Sequence, residues 1–97
     1  MFEIEQGDDG RVVFRGRLDA AQCPKAQAFL DGAPASTTFD FAGLEYISSA
    51  GLGLLLRAHK QARAGGGKLR RVNVNNHIFD IFRYSGFDQL FEVERSG

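Results

Sequence analysis

The chain has 97 residues, with twelve Lys and Arg against twelve Asp and Glu and a formal net charge of +0. That length predicts one domain over residues 1–97 around one core, and the neutral balance removes any chain-wide attraction for nucleic acid or an anionic membrane. Cys23 is the single cysteine, which excludes an internal disulfide and suits a reducing compartment.

In "MFEIEQ", Phe2 and Ile4 alternate with Glu3 and Glu5, the period of a half-buried strand. The turn cluster "GDDG" leads into "RVVFRGRLD". There Val12, Phe14, Gly16 and Leu18 share one face while Arg11, Val13, Arg15, Arg17 and Asp19 point the other way. The two runs read as a hairpin. "AAQCPKAQAFLDG" predicts a short helix. Pro24 stands in its first turn, Cys23 or a residue just before it is the cap, Ala26, Phe29 and Leu30 form the apolar face, and Gly32 lies past the end. "TTFDFAG" predicts a strand closed by Gly43.

"YISSAGLGLLLRAH" opens the clearest helix, which "AGGG" stops after Arg63. A helical wheel with Leu52, Leu55, Leu56, His59 and Ala62 on the buried stripe sends Ala50, Gly53, Leu54, Arg57 and Gln61 outward. "KLRRVNV" returns to strand character, with its basic run as a solvated flank. "NNHIFDIFRYSGF" predicts a last helix, capped by Asn75 or Asn76 and packed through Ile78, Ile81 and Phe82, with Gly86 beyond its end. "LFEVE" closes as a final strand. The order β-β-α-β-α-β-α-β implies an α/β fold, a mixed sheet of four to five strands against three to four helices, with the later strands parallel.

Several chemistries lack their residues. His59 and His77 have no partner at metal-ligand spacing, and Asp8, Asp9, Asp19 and Asp40 are scattered, so no metal site is expected. His59 reads as a core or boundary histidine. No phosphate-binding GxxxxGK[ST] loop is present, and the "GLG" of Gly51 to Gly53 lies inside a helical pattern, so no cofactor or enzymatic activity is expected. The longest apolar run, "LGLLL", is far too short for a bilayer, and the acidic, alternating amino terminus is unlike a signal peptide; a cytoplasmic location is expected.

Ser48 and Ser49 stand at a strand-to-helix junction. Either can cap the helix, because a serine oxygen accepts from the first free N–H groups. The same helix end tolerates a phosphate, through its free donors and positive dipole end. A phosphoserine there would add about two negative charges without unfolding the domain.

From "FDFAGLEYISSAGLG" to "GFDQLF", and in "FRGRLDAAQ", nearly the whole chain resembles the STAS domain family, the domain of sulfate transporters and anti-sigma factor antagonists. The resemblance is to its stand-alone antagonist type. It implies a non-catalytic member of a partner-switching system. Its partners would be an anti-sigma factor that is also a serine kinase, of histidine-kinase-like ATPase fold, and a serine phosphatase, with no direct nucleic-acid contact and no membrane insertion. In gapless register the family's phosphorylated serine falls on Ser49, and Ser48 is the alternative. The Asp that usually precedes the acceptor is Ser48 here, while Asp19 matches the family's acidic residue near the acceptor. The implied partner-binding surface joins Asp19, Ser48, Ala50, Gly53, Leu54 and Arg57. A second implied role is that of a cytoplasmic accessory subunit of a lipid ABC transporter, whose small members carry a Ser-Ala-Gly-Leu motif close to "SAGLGLLL".

Overall fold

The computed structural model describes residues 1–34, 36–89 and 93–95, with only the backbone of Asp88. Strands β1 (Phe2–Gln6) and β2 (Val12–Leu18) pair antiparallel as the expected hairpin. Helix α1 (Cys23–Asp31) crosses over to β3 (Thr37–Ile47), and α2 (Ser49–Ala64) crosses to β4 (Leu69–Val72). Both of these steps add a parallel strand, giving a sheet in the order β1-β2-β3-β4. Helix α3 (Asn76–Tyr84) follows, capped by Asn75, whose side chain accepts from the Ile78 amide at 2.9 Å. The expected final strand falls largely on residues 90–92, outside the described residues. Beyond them, Arg95 bridges in parallel to Val74, and the Glu94 amide donates to the Arg71 carbonyl at 2.7 Å.

One face of the sheet is apolar and covered. Phe2, Ile4, Val12, Phe14, Leu18, Phe39, Phe41, Leu44 and Ile47 form one cluster with the buried residues of all three helices. Phe14 sits at its centre, its ring 5.2 Å from Phe39 and 4.9 Å from Phe41, and Phe41 meets Phe82 of α3 at 6.1 Å. These tilted contacts suit the aromatic quadrupole. The opposite face of β1 and β2 is solvated and charged; Arg15 pairs there with Glu5 across the hairpin.

β3 runs four residues past Gly43, where the sequence pattern placed its end. The register explains the difference. Val13 to Arg15 on β2 spans two steps while Asp40 to Gly43 on β3 spans three, and Gly16 to Arg17 faces Leu44 to Tyr46. Each irregularity inserts one extra residue into β3. The alternation of Phe39 and Phe41 therefore breaks at Gly43, then resumes with Leu44 and Ile47 turned inward. Gly16 lies at the second irregularity with φ of 86°, and a Cβ there would come within 2.0 Å of the Met1 carbonyl oxygen. Only glycine fits that approach.

The orientation of α2 corrects the expected wheel. Gly51, Leu54, Leu55 and Ala62 are buried, and Leu54 is 0 % exposed. Leu52, Leu56 and His59 are half-buried on one flank. Leucines at four of five successive positions, Leu52 and Leu54 to Leu56, leave the phase of the wheel ambiguous. Gly51 resolves it. A Cβ on Gly51 would lie 2.8 Å from Ile47 Cγ1 and 3.0 Å from the Leu18 carbonyl oxygen, so this side of the helix meets the strands at backbone distance. Leu54 follows one turn later on the same side and is core, not an outward anchor.

Arg71 is a second correction. Read as part of a solvated run, it is 1 % exposed. Its register partner is Phe39, so it shares the covered face. Its guanidinium donates to the Leu69 carbonyl and to His59 Nδ1, each at 3.0 Å. Arginine has only donors, so His59 accepts at Nδ1 and carries its proton on Nε2. Burial, then Arg71 and Arg63, push the His59 pKa down.

Three outcomes follow from this packing. Leu54→Ala should cost about 2–5 kcal/mol in urea denaturation, the range for emptying a core leucine, whereas a surface Leu54 would cost almost nothing. Gly51→Ala should cost about 1–3 kcal/mol, because α2 must lift from the Leu18 carbonyl. His59 is neutral in the fold and binds its proton more readily when unfolded. Stability is therefore full above its ordinary titration range, about pH 6.5, and falls as the pH drops from there toward the lowered folded value. The loss of urea midpoint on acidification should be smaller in His59→Gln than in the parent chain.

Candidate functional site

The parallel strands β2 and β3 end side by side, and the chain leaves each through a short turn. After Leu18, Asp19 caps the 3-10 turn Ala20–Gln22 by accepting from the Gln22 amide at 3.3 Å. After Ile47, Ser48 caps α2. Its Oγ accepts from the Gly51 amide at 3.2 Å, and its carbonyl accepts from the Leu52 amide at 2.9 Å. The Ser48 amide donates to the Leu18 carbonyl at 2.9 Å, which ties the two turns together. Asp19 and Ser48 thus flank one hydrogen bond at the carboxyl edge of the sheet, where open α/β sheets place their sites.

The two serines have different environments. Ser48 is half-buried and its oxygen is engaged as the cap. Ser49 is the first residue of α2 and is exposed. With the cap bond going to Gly51, the amides of Ser49 and Ala50 have no acceptor within the helix, as at any helix start. They join the positive end of the helix dipole beside the Ser49 hydroxyl.

Ala50 is exposed, Gly53 is half-buried and Arg57 is exposed, all on the outward side of α2 near Ser49. The Arg57 guanidinium folds back along the helix, and a Cβ on Gly53 would lie 3.6 Å from its Nη1. Cys23 reports the nearby charges. Burial pushes its thiol up, Arg57 draws it down and Asp19 pushes it up again. Its Sγ donates to the Asp19 carbonyl at 3.4 Å. The structure therefore brings Asp19, Ser48, Ser49, Ala50, Gly53 and Arg57 to one end of the molecule and removes Leu54 to the core. Lys60 and Arg63, which the sequence reading did not single out, continue the exposed side of α2 beyond Arg57. Their sign and their three-residue spacing were legible; the helix phase that turns the whole row outward was not. Among the described residues no helix is long and apolar enough to cross a membrane.

The family described as "Mlab, STAS domain" matches residues 1–92. The chain is 32% identical over 94 residues to BtrV of Bordetella bronchiseptica, named as a candidate anti-sigma factor antagonist, covering 91% of this chain and 81% of that one. Among solved structures, a candidate anti-sigma factor antagonist from Thermotoga maritima superposes with a TM-score of 0.78 at 18% identity, over 97% of this chain and 86% of that chain. SpoIIAA, the Bacillus cell fate determinant solved in its phosphorylated form, gives 0.68 at 24% identity, over 97% and 90% of the two chains. These two structures share the fold. The family match over nearly the full length, with a relative of this identity and coverage, makes the chain a member of the STAS domain family.

Proposed function

We propose that this protein is a non-catalytic anti-sigma factor antagonist of a partner-switching system, with Ser49 as its phosphorylated residue. The unmodified chain binds an anti-sigma factor that is also a serine kinase of histidine-kinase-like ATPase fold, and the modified chain is released. The carrying observation is the division of labour at the start of α2. Ser48 caps the helix while Ser49 presents an exposed hydroxyl at its positive end. A phosphate on Ser49 would gain the free amides and leave the cap bond untouched.

In the transfer, Ser49 Oγ attacks the γ-phosphorus of ATP. The bond to the departing ADP breaks, and the hydroxyl proton passes to a base on the kinase. A phosphatase reverses this by hydrolysis, with water taking the phosphoryl group as inorganic phosphate and the serine hydroxyl restored. The likeness to BtrV and to SpoIIAA supports this reading. Asp19, Ser48, Ala50, Gly53 and Arg57 surround the modified residue and form the proposed contact surface, with half-buried Leu52 and Leu56 as its apolar margin. A cytoplasmic accessory subunit of a lipid ABC transporter is the second reading, favoured by one observation: "SAGL" at residues 49–52 follows a serine where the switching members carry Asp.

Mass spectrometry after incubation with the cognate kinase and ATP should find one phosphate, on Ser49. Ser48→Ala should lose about 1 kcal/mol of stability with its cap and still be phosphorylated. Ser49→Asp should abolish partner binding, and Ser49→Ala should bind and resist release, both with melting temperatures near that of the parent. Phosphate on Ser48 alone would move the switch to the capping residue. Tight binding with phosphate on neither serine would favour the transporter reading.

A further inference from the structure

Helix α2 holds three of the twelve basic residues of the chain and none of its twelve acidic ones. Arg57, Lys60 and Arg63 are all exposed. With the wheel fixed by buried Gly51, Leu54, Leu55 and Ala62, these cations share one outward arc with Ser49, Ala50, Gly53 and Gln61. Most other arginines are engaged. Arg11 pairs with Asp9 and Asp40, Arg15 with Glu5 and Arg70 with Glu94. Arg17, Arg83 and Arg95 lie over the rings of Tyr46, Tyr84 and Phe79. Among the described residues, Arg57, Lys60 and Arg63 form no ion pair. The helix that begins at Ser49 thus carries three exposed cations without an ion pair, while exposed Lys25 on α1 bonds the Phe2 carbonyl at 3.3 Å.

We propose that the outward arc of α2 is an electrostatic docking face for an acidic surface on the partner protein, and that phosphate on Ser49 discharges it; this rests on the switching function proposed above. The phosphate adds about two negative charges to an arc that carries three positive ones. Release then needs no change of fold, because the modification cancels the attraction where the partner sits. Such complementarity acts chiefly on association rate and specificity and is screened by salt. A protein surface fits better than a nucleic acid or a lipid bilayer. Three cations on one helix give few phosphate contacts. Half-buried Leu52 and Leu56 flank the arc and offer apolar contact that a phosphodiester backbone does not use.

The test is an NMR titration of the full, unmodified chain with four probes: a Glu-rich helical peptide, its Lys-rich counterpart, a short DNA duplex and phosphatidylglycerol vesicles. The Glu-rich peptide should shift amides of α2, and the shifts should fade between about 50 mM and about 300 mM salt. Lys60→Glu should lose part of this response. The triple variant Arg57→Glu, Lys60→Glu, Arg63→Glu should lose it all and respond instead to the Lys-rich peptide, with unchanged circular dichroism. Ser49→Asp should weaken the Glu-rich peptide about 3-fold. Shifts away from α2, shifts that survive the triple variant, or an equal or stronger response to DNA or vesicles would overturn the docking face. The titration needs no kinase. Its failure therefore removes the docking face alone, whereas absence of phosphate on Ser49 removes the switch alone.

Discussion

The structure turns on the close approach of α2 to the ends of β2 and β3. Gly51 lies against Leu18 and Ile47 with no room for a side chain, and the Ser48 amide is bonded to the Leu18 carbonyl. With those two contacts fixed, the rest of α2 has little freedom. Leu54 and Leu55 must fall on the apolar face of the sheet, Ala62 must pack lower down, and the opposite arc must face water. The same contacts bring the turn after β2 beside the turn after β3. Asp19 is thereby next to the serines although twenty-eight residues of chain lie between it and Ser48. A larger residue at position 51 would open the core and spread the site together, because both depend on one helix-to-strand distance.

Elements with strong local signatures were legible in the sequence. The hairpin, the four strand positions, the three helices and their glycine stops follow from periodicity and capping chemistry. So does a serine cap at the start of α2, although which of the two serines makes it was open until the structure assigned the bond to Ser48. The failures share one physical origin, long-range packing. β3 looked finished at Gly43 because its extra residues are matched against β2, and a bulge cannot be recognised from one strand. The wheel of α2 was turned because four leucines satisfy two phases nearly equally, and only the contact of Gly51 with distant Leu18 separates them. Arg71 was placed in water because its burial depends on His59, twelve positions away on another element.

The correction at Leu54 also changes how the surface around Ser49 is understood. With Leu54 outward, the surface would be an apolar anchor beside a hydroxyl. With Leu54 inside, what remains is Ala50, Gly53 and the aliphatic margins of Leu52 and Leu56, followed by Arg57, Lys60 and Arg63. A surface of small residues and cations makes few of the deep apolar contacts that dominate tight interfaces. As the proposed docking face, its affinity would lean more on charge, and charge is what a phosphate would alter most. A purely apolar anchor would respond weakly to two added negative charges; under the proposed switch a basic arc would respond strongly.

α2 thereby separates two duties by face. Its inward arc sets stability through Gly51, Leu54, Leu55 and Ala62, none of which meets solvent freely. Its outward arc carries the charge pattern and the exposed serine, none of which the core needs. Ser48 stands at the boundary: its oxygen belongs to the cap, its amide to the Leu18 tie, and only its neighbour is left free for chemistry. An Asp at position 48, the residue the family resemblance implies there, would cap the helix equally well, since Asp and Ser are comparable caps. The difference lies in electrostatics. An Asp at position 48 would set a permanent negative charge beside the basic arc, whereas a serine adds none. Under the proposed function, replacing the acid with a neutral cap widens the contrast between the two states of the switch.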